Sequence, residues 1–303
     1  MLVAVAACVE VDDQAALGTR AAAVIGGTPT AAGVHPAVGA LVDPGVTCSG
    51  TLIAPDAVLT AAHCVMDPNA LPSFTLERDA RSPTVVIAPA HAIVHPDWQI
   101  DRAIDDGPTQ FYDIAILRLA TPIANVPPAI LASPAEGTRL VEGLMMTMVG
   151  YGETVDNDPA SAGVKVAAEA PIVARSPSEF QISNPGDAQN CYGDSGGPAL
   201  ADIGTGERLM GVVSRGATLA PTCDQGSVDT RVDHYMTWIR TEVPEVCVGG
   251  EECAGGALPE GFGAEISGGC AVGGGAGGGA GALVVLAAFA IARRRRLRAR
   301  AIE

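Results

Sequence analysis

Asn190-Cys191-Tyr192-Gly193-Asp194-Ser195-Gly196-Gly197-Pro198 decides how this chain is read. Its glycines let the backbone bend tightly around one serine, leave the hydroxyl uncovered and allow neighbouring amides to converge on one point. Those are the needs of a nucleophile in acyl transfer. A serine hydroxyl is a poor nucleophile at neutral pH, so a general base must lie within hydrogen-bond reach and a third group must orient it.

Both partners are present upstream. Thr60-Ala61-Ala62-His63-Cys64 follows the strand-like Val58-Leu59, and Tyr112-Asp113 opens the apolar run Ile114-Ala115-Ile116-Leu117-Arg118-Leu119. Taken singly, His63 reads equally well as a structural histidine, Asp113 as a strand-end cap and Ser195 as a turn residue. Together they form the order His63, Asp113, Ser195, which differs from the Ser, Asp, His order of the α/β-hydrolases.

With these residues in view, the chain resembles the trypsin and chymotrypsin-like serine endopeptidases. Val24-Ile25-Gly26-Gly27 looks like their mature amino terminus. Cys48-Ser49-Gly50-Thr51-Leu52-Ile53 leads to His63-Cys64, and the Ser195 loop is followed by Gly211-Val212-Val213-Ser214-Arg215-Gly216 and Thr230-Arg231-Val232. The resemblance covers roughly residues 24 to 243. It implies an all-β fold of two packed six-stranded antiparallel barrels with a short C-terminal helix. His63 and Asp113 would come from the first barrel and Ser195 from the second. Short Val, Ile and Leu-rich runs broken by Pro, Gly, Asp and Asn, such as Thr84-Val85-Val86-Ile87, fit antiparallel sheets. His234 to Arg240 reads as the terminal helix.

The resemblance also assigns roles. His63 would shuttle the proton of Ser195, Asp113 would orient the imidazole, and the amides of Gly193 and Ser195 would hold the oxyanion. Ser214 would support the aspartate and line the substrate strand. The specificity pocket would have Gln189 at its base, with Asn190 beside it, Gly216 on one wall and Ser227 opposite. Arg215 replaces a usual aromatic, and Asp229 stands where a tyrosine is common. Neutral Gln189 argues against simple arginine preference and for small or medium uncharged side chains. A cut between Ala23 and Val24 would free an ammonium to pair with Asp194, so the chain would be made as a zymogen. The nearest upstream basic residue is Arg20, and cutting there would leave three alanines in the way.

Eight cysteines, at 8, 48, 64, 191, 223, 247, 253 and 270, suit an oxidising compartment. The resemblance pairs Cys48 with Cys64 and Cys191 with Cys223. Cys247 and Cys253 either close a small loop or stand apart. The spacings fit no recurring zinc template and the histidines are scattered, so no metal is expected. No cofactor is implied.

The remaining cysteines lie near the ends. Residues 1–23 read as a leader, in which Met1-Leu2-Val3-Ala4-Val5-Ala6-Ala7-Cys8 resembles the end of a lipoprotein signal with a lipid acceptor at Cys8, or alternatively a clipped secretory signal. Residues 244–269 read as a Gly-rich acidic linker. Residues 270–303 begin at Cys270, continue through 22 uncharged residues and end in six arginines and Glu303. As a helix that run would span roughly 33 Å, enough for a bilayer. The tail resembles the C-terminal sorting segments of myxobacterial surface proteins (MYXO-CTERM type). A nucleic-acid-binding tail is the competing reading of the arginines.

Without residues 293–303 the chain keeps 12 basic and 33 acidic residues, net −21. So acidic a body is unsuited to nucleic acid and fits an extracellular, surface-tethered monomer acting on protein or peptide substrates. The leading function is serine endopeptidase. The alternative is a binding or adhesion module that keeps the fold without the chemistry.

Overall fold

A computed structural model of the chain describes residues 24–99 and 106–251. The leader, Cys8, Cys253, Cys270 and the sorting segment lie outside the described residues. Among those that are described, no helix is long and apolar enough to cross a membrane.

The strands run in chain order as β1 (Thr28–Pro29), β2 (Val38–Val42), β3 (Val46–Ala54), β4 (Ala57–Thr60), β5 (Ser73–Thr75), β6 (Pro89–Val94) and β7 (Ala115–Leu119). They continue as β8 (Met145–Gly150), β9 (Val166–Arg175), β10 (Glu179–Ile182), β11 (Pro198–Asp202), β12 (Glu207–Gly216) and β13 (Ser227–Arg231). Helix α1 (Met236–Glu242) follows. Strands β5-β2-β3-β4-β7-β6 form the first sheet, all antiparallel. The second is ordered β1-β9-β10-β13-β12-β11-β8, and β8 pairs again with β9. That last pairing closes a six-stranded barrel with β1 attached outside.

The first sheet is a half-barrel. Among the described residues its edges meet only where Phe74 and Ile87 exchange backbone hydrogen bonds of 2.9 and 2.8 Å. The run Thr84 to Ile87, read from sequence as a strand, is not one. Glu77 Oε1 accepts from the Thr84 and Val85 amides at 2.9 and 2.6 Å, and Thr75 Oγ1 donates to the Val85 carbonyl at 2.8 Å. These side chains take the groups a ladder would need, and Val85 and Val86 are left exposed.

Three apolar clusters hold the fold. Leu41, Leu52, Val58, Phe74 and Leu117 fill the half-barrel, and Met146, Ile172, Phe180, Ile182 and Met210 fill the closed one. Between them, Ile53, Leu59, Ile114, Ile116, Tyr151, Leu200 and Val212 form a shared seam that also takes in Ile239 of α1. Burying each such side chain contributes about 1.5–3 kcal/mol against leaving it in water. Residues past 243 remain packed. Val246 and Val248 are buried, and Leu131 bonds the Cys247 carbonyl and the Gly249 amide, each at 2.8 Å. The body therefore continues into the stretch read as linker.

Two disulfides join Cys48 to Cys64 and Cys191 to Cys223. The first closes a span of 16 residues and contributes about 3 kcal/mol on the chain-entropy account. Cys247 is also disulfide-bonded.

Candidate active site

His63 sits in a single 3-10 turn, Ala62–Cys64, just after β4. Strand β4 is wholly buried, and Cys64 is tied back to β3 through Cys48, so the turn is anchored on both sides. Asp113 lies just before β7. Its predecessor Tyr112 adopts φ 58°, an uncommon left-handed conformation for an aromatic residue. The Tyr112 ring is held by stacking on His95 at 5.2 Å and by an edge contact with Tyr235 at 6.1 Å.

These turns place the two side chains together. His63 Nδ1 lies 2.8 Å from Asp113 Oδ2, and the His63 amide donates to Oδ1 at 3.0 Å. The second barrel completes the aspartate's surroundings. Ser214 Oγ of β12 donates to Oδ2 at 2.7 Å, and Thr230 Oγ1 of β13 donates to the Asp113 carbonyl at 3.1 Å. Asp113 is 1% exposed. Burial opposes its charge, yet the bonds from His63 and Ser214 hold its carboxyl below the usual range. Burial likewise opposes a charged His63, but the Asp113 bond and charge outweigh it and raise the imidazole's pKa. Nδ1–H facing the carboxylate leaves Nε2 as the basic nitrogen.

Ser195 and His63 border the same cavity of about 330 Å³, with Asn190, Ser214, Arg215, Gly216 and Ser227 along its walls. Among the described residues His63 Nε2 makes no hydrogen bond to Ser195 Oγ, a contact that in such sites commonly tightens only when substrate binds. The Ser195 loop is anchored by Ser49, a residue whose part was not readable from its motif. Its amide donates to the Ser195 carbonyl at 2.8 Å, and its hydroxyl donates to the Gly193 carbonyl at 2.9 Å. Among the described residues neither the Gly193 nor the Ser195 amide donates to a protein acceptor.

Gly193 has φ +96°, and a Cβ there would come within 2.8 Å of Gly152 Cα. Gly193→Ala is therefore expected to swing the amide away and lower kcat about 10²- to 10³-fold with the fold retained. Steady-state kinetics alongside circular dichroism checks this.

Asp194 points the other way, into the protein. Its carboxylate accepts from the Gly152 and Cys191 amides at 2.8 and 2.9 Å and from the amide of Val24. Val24 is fully buried, and Ile25 exchanges backbone bonds of 2.8 and 2.9 Å with Gln189. Burial pushes Asp194 up to about 7 despite these three donors. Val24 carries φ 51°, a strained value for a β-branched residue.

Gln189 is not in the Ser195 cavity. Its Nε2 donates to the Asn184 and Asp187 carbonyls at 2.7 and 3.3 Å, and its Oε1 accepts from the Gly226 amide at 2.8 Å. It borders a separate hollow with Ile25, Gly26 and Asp187. Asn190 and Ser227 line the Ser195 cavity instead.

Arg215 does not offer a free charge to the cavity. Both its terminal nitrogens bond Glu179 at 2.9 Å, and its guanidinium lies 4.9 Å from the Phe111 ring centre. Glu179 also accepts from the Thr109 and Phe111 amides at 2.7 and 3.1 Å. This completely buried acid carries no motif in the sequence that marks it. Glu179→Gln is expected to cost about 3–5 kcal/mol, because it strands a buried guanidinium and frees the 107–111 segment. Denaturant unfolding measures that loss.

Among the described residues two donor clusters lie close enough for a metal, Cys48 with His63 and Cys64 and Asp156 with Cys191 and Cys223, but the sulfurs of both belong to the disulfides.

Two β-barrel-type sheets packed along a common seam, with a histidine–aspartate pair facing a serine loop across it, have the architecture of the chymotrypsin-type proteins. The chain belongs to the trypsin family, whose profile (Trypsin) matches residues 24–239. It is 28% identical over 225 residues to CLIP domain-containing serine protease B15 of Anopheles gambiae, covering 64% of this chain and 60% of that protein. It is also 28% identical over 241 residues to coagulation factor XII of Bos taurus, covering 72% of this chain and 39% of that protein. The solved structure of neuropsin, a serine protease expressed in the limbic system of mouse brain, superposes with a TM-score of 0.61. The two are 24% identical, and the match covers 72% of this chain and 99% of that one.

Proposed function

We propose that the protein is a secreted serine endopeptidase, made as a zymogen, tethered at the cell surface and active as a monomer on protein or peptide substrates. One observation carries the reading: the hydrogen-bonded chain Ser214–Asp113–His63 opens on the same cavity as Ser195.

In the proposed reaction Ser195 Oγ attacks the scissile carbonyl carbon while His63 Nε2 takes the hydroxyl proton. The carbonyl oxygen becomes an oxyanion, held by the Gly193 and Ser195 amides. As the tetrahedral species collapses, the C–N bond breaks and His63 returns the proton to the leaving amine. Water then attacks the acyl-enzyme with His63 again as base, and Ser195 is regenerated. Asp113 stays ionised throughout and stabilises the imidazolium. Ser214 and Gly216 flank the bound peptide, whose side chain enters the cavity that Asn190 and Ser227 line.

Activation is read as a cut between Ala23 and Val24. It would put an ammonium where the Val24 amide now faces the Asp194 carboxylate, replacing a polar donor by a cation in a buried site. It would also release the strained Val24 φ. The apolar run 271–292 with its following arginines supports a membrane stop, and the small residues ahead of Cys8 support lipid there.

Digestion of a defined peptide pool by the processed protein, read by mass spectrometry, tests the activity. New peptide termini are expected, and none at all would favour a silent binding module. Amino-terminal sequencing of the active form tests the cut, and full activity with a stable terminus at Ala21 would refute it.

A further inference from the structure

Two residues that line the Ser195 cavity begin a chain of hydrogen-bonded side chains. Asn190 Nδ2 donates to Ser227 Oγ at 2.8 Å, and Ser227 Oγ donates to Asp229 Oδ1 at 3.2 Å. Asn190 and Ser227 line the cavity, whereas Asp229 on β13 is 0% exposed behind them. We propose that Asp229, acting through Ser227 and Asn190, selects substrates whose side chain in this cavity ends in a cation, lysine or arginine. The inference rests on the endopeptidase reading of the same cavity.

The polarity follows from what each group can do. An ionised carboxylate only accepts, so the single Ser227 proton must point at Asp229. Ser227 must then accept from the Asn190 amide nitrogen. The amide is thereby fixed in one orientation, with its carbonyl Oδ1 left as an acceptor for the cavity. A lining that ends in an acceptor and is rooted in a carboxylate favours a positively charged N–H donor.

Among the described residues the carboxylate has no compensating cation, and its Oδ2 is buried without a hydrogen-bond partner. The charge of Glu179 on β10 repels it, and the cation on β12, Arg215, is committed to Glu179. Phe180 on β10 and Gly211 on β12 supply only apolar contact. A bound lysine or arginine would supply the missing charge, whereas a neutral side chain leaves an unpaired buried carboxylate that gains by taking up a proton. This reverses the expectation drawn from Gln189, because Gln189 faces away from the cavity.

Burial, opposed by the Ser227 bond and reinforced by Glu179, pushes Asp229 up to about 7. Its ionised fraction then rises about tenfold between pH 6 and pH 8, and cation preference should rise with it. The test uses two peptides that differ only in lysine or its neutral isostere norleucine before the scissile bond. The ratio of their kcat/KM values cancels the titrations of His63 and Asp194, which act on both alike. The wild type is expected to favour lysine at pH 8, with the ratio falling about tenfold at pH 6.

Asp229→Asn, and separately Ser227→Ala, should flatten that pH dependence and raise KM for the lysine peptide more than they lower kcat. A wild-type ratio that is flat with pH, or that favours norleucine at pH 8, overturns the assignment. So does an Asp229→Asn enzyme that keeps the wild-type profile. Where that variant fails to fold, the wild-type profile and Ser227→Ala decide. Labelling of the same wild-type preparation by a serine-directed phosphonate separates the two readings. Absence of labelling refutes the endopeptidase, whereas labelling with a flat ratio refutes only the role of Asp229.

Discussion

Replacing Ser195 by alanine is expected to lower kcat about 10⁶-fold with KM little changed, the scale seen when the nucleophile of such a triad is removed. The loss is large because every covalent step passes through Oγ. Neither His63 nor Asp113 can substitute for it, since the pair can only activate a group that lies beside Nε2. Binding should survive, because the cavity walls are set by β12, β13 and the Cys191–Cys223 disulfide rather than by the hydroxyl. A residual rate about 10³- to 10⁴-fold above that in water is expected from the oxyanion site and binding alone.

Asp113→Asn is expected to lower kcat about 10⁴-fold, as the corresponding change does in triads of this kind. The asparagine would fit among the same partners, so the fold should persist. Its amide nitrogen can donate to His63 Nδ1, however, which drives the ring proton to Nε2 and leaves no base facing Ser195. The pH profile should move as well. In the native protein the Asp113 bond and charge raise His63 against the lowering effect of burial. The active neutral form is therefore lost as pH falls through that raised value. Without the carboxylate, burial remains as the dominant influence, so the acid limb should shift to lower pH. A kcat profile across pH 5–9 reads both effects.

How much was legible in the chain depended on whether the deciding interaction is local. The Ser195 loop, the His63 turn and the Asp113 strand end each carry their meaning within a few residues, because glycine-permitted bends and an apolar run are local properties. The terminal helix was placed to within about two residues at each end, the usual fraying error. Thr84 to Ile87 failed because Glu77 and Thr75, from a neighbouring segment, capture its backbone. Glu179 was invisible because its burial is created by Arg215, 36 residues away. Gln189 was assigned to the pocket from its position before Ser195. Its direction is set by backbone groups of Asn184, Asp187 and Gly226, which position alone does not show. Asp229 was noticed as an unusual residue, but its link to the cavity appears only once β13 sets Ser227 and Asp229 on one face.

Mapping the adduct of a serine-directed phosphonate on the processed protein tests the central claim most directly. The account predicts a single adduct, on Ser195, in protein that begins at Val24. Labelling should be absent from Ser195→Ala and strongly reduced in the uncut chain. An adduct on another residue, or undiminished labelling of Ser195→Ala, would contradict it.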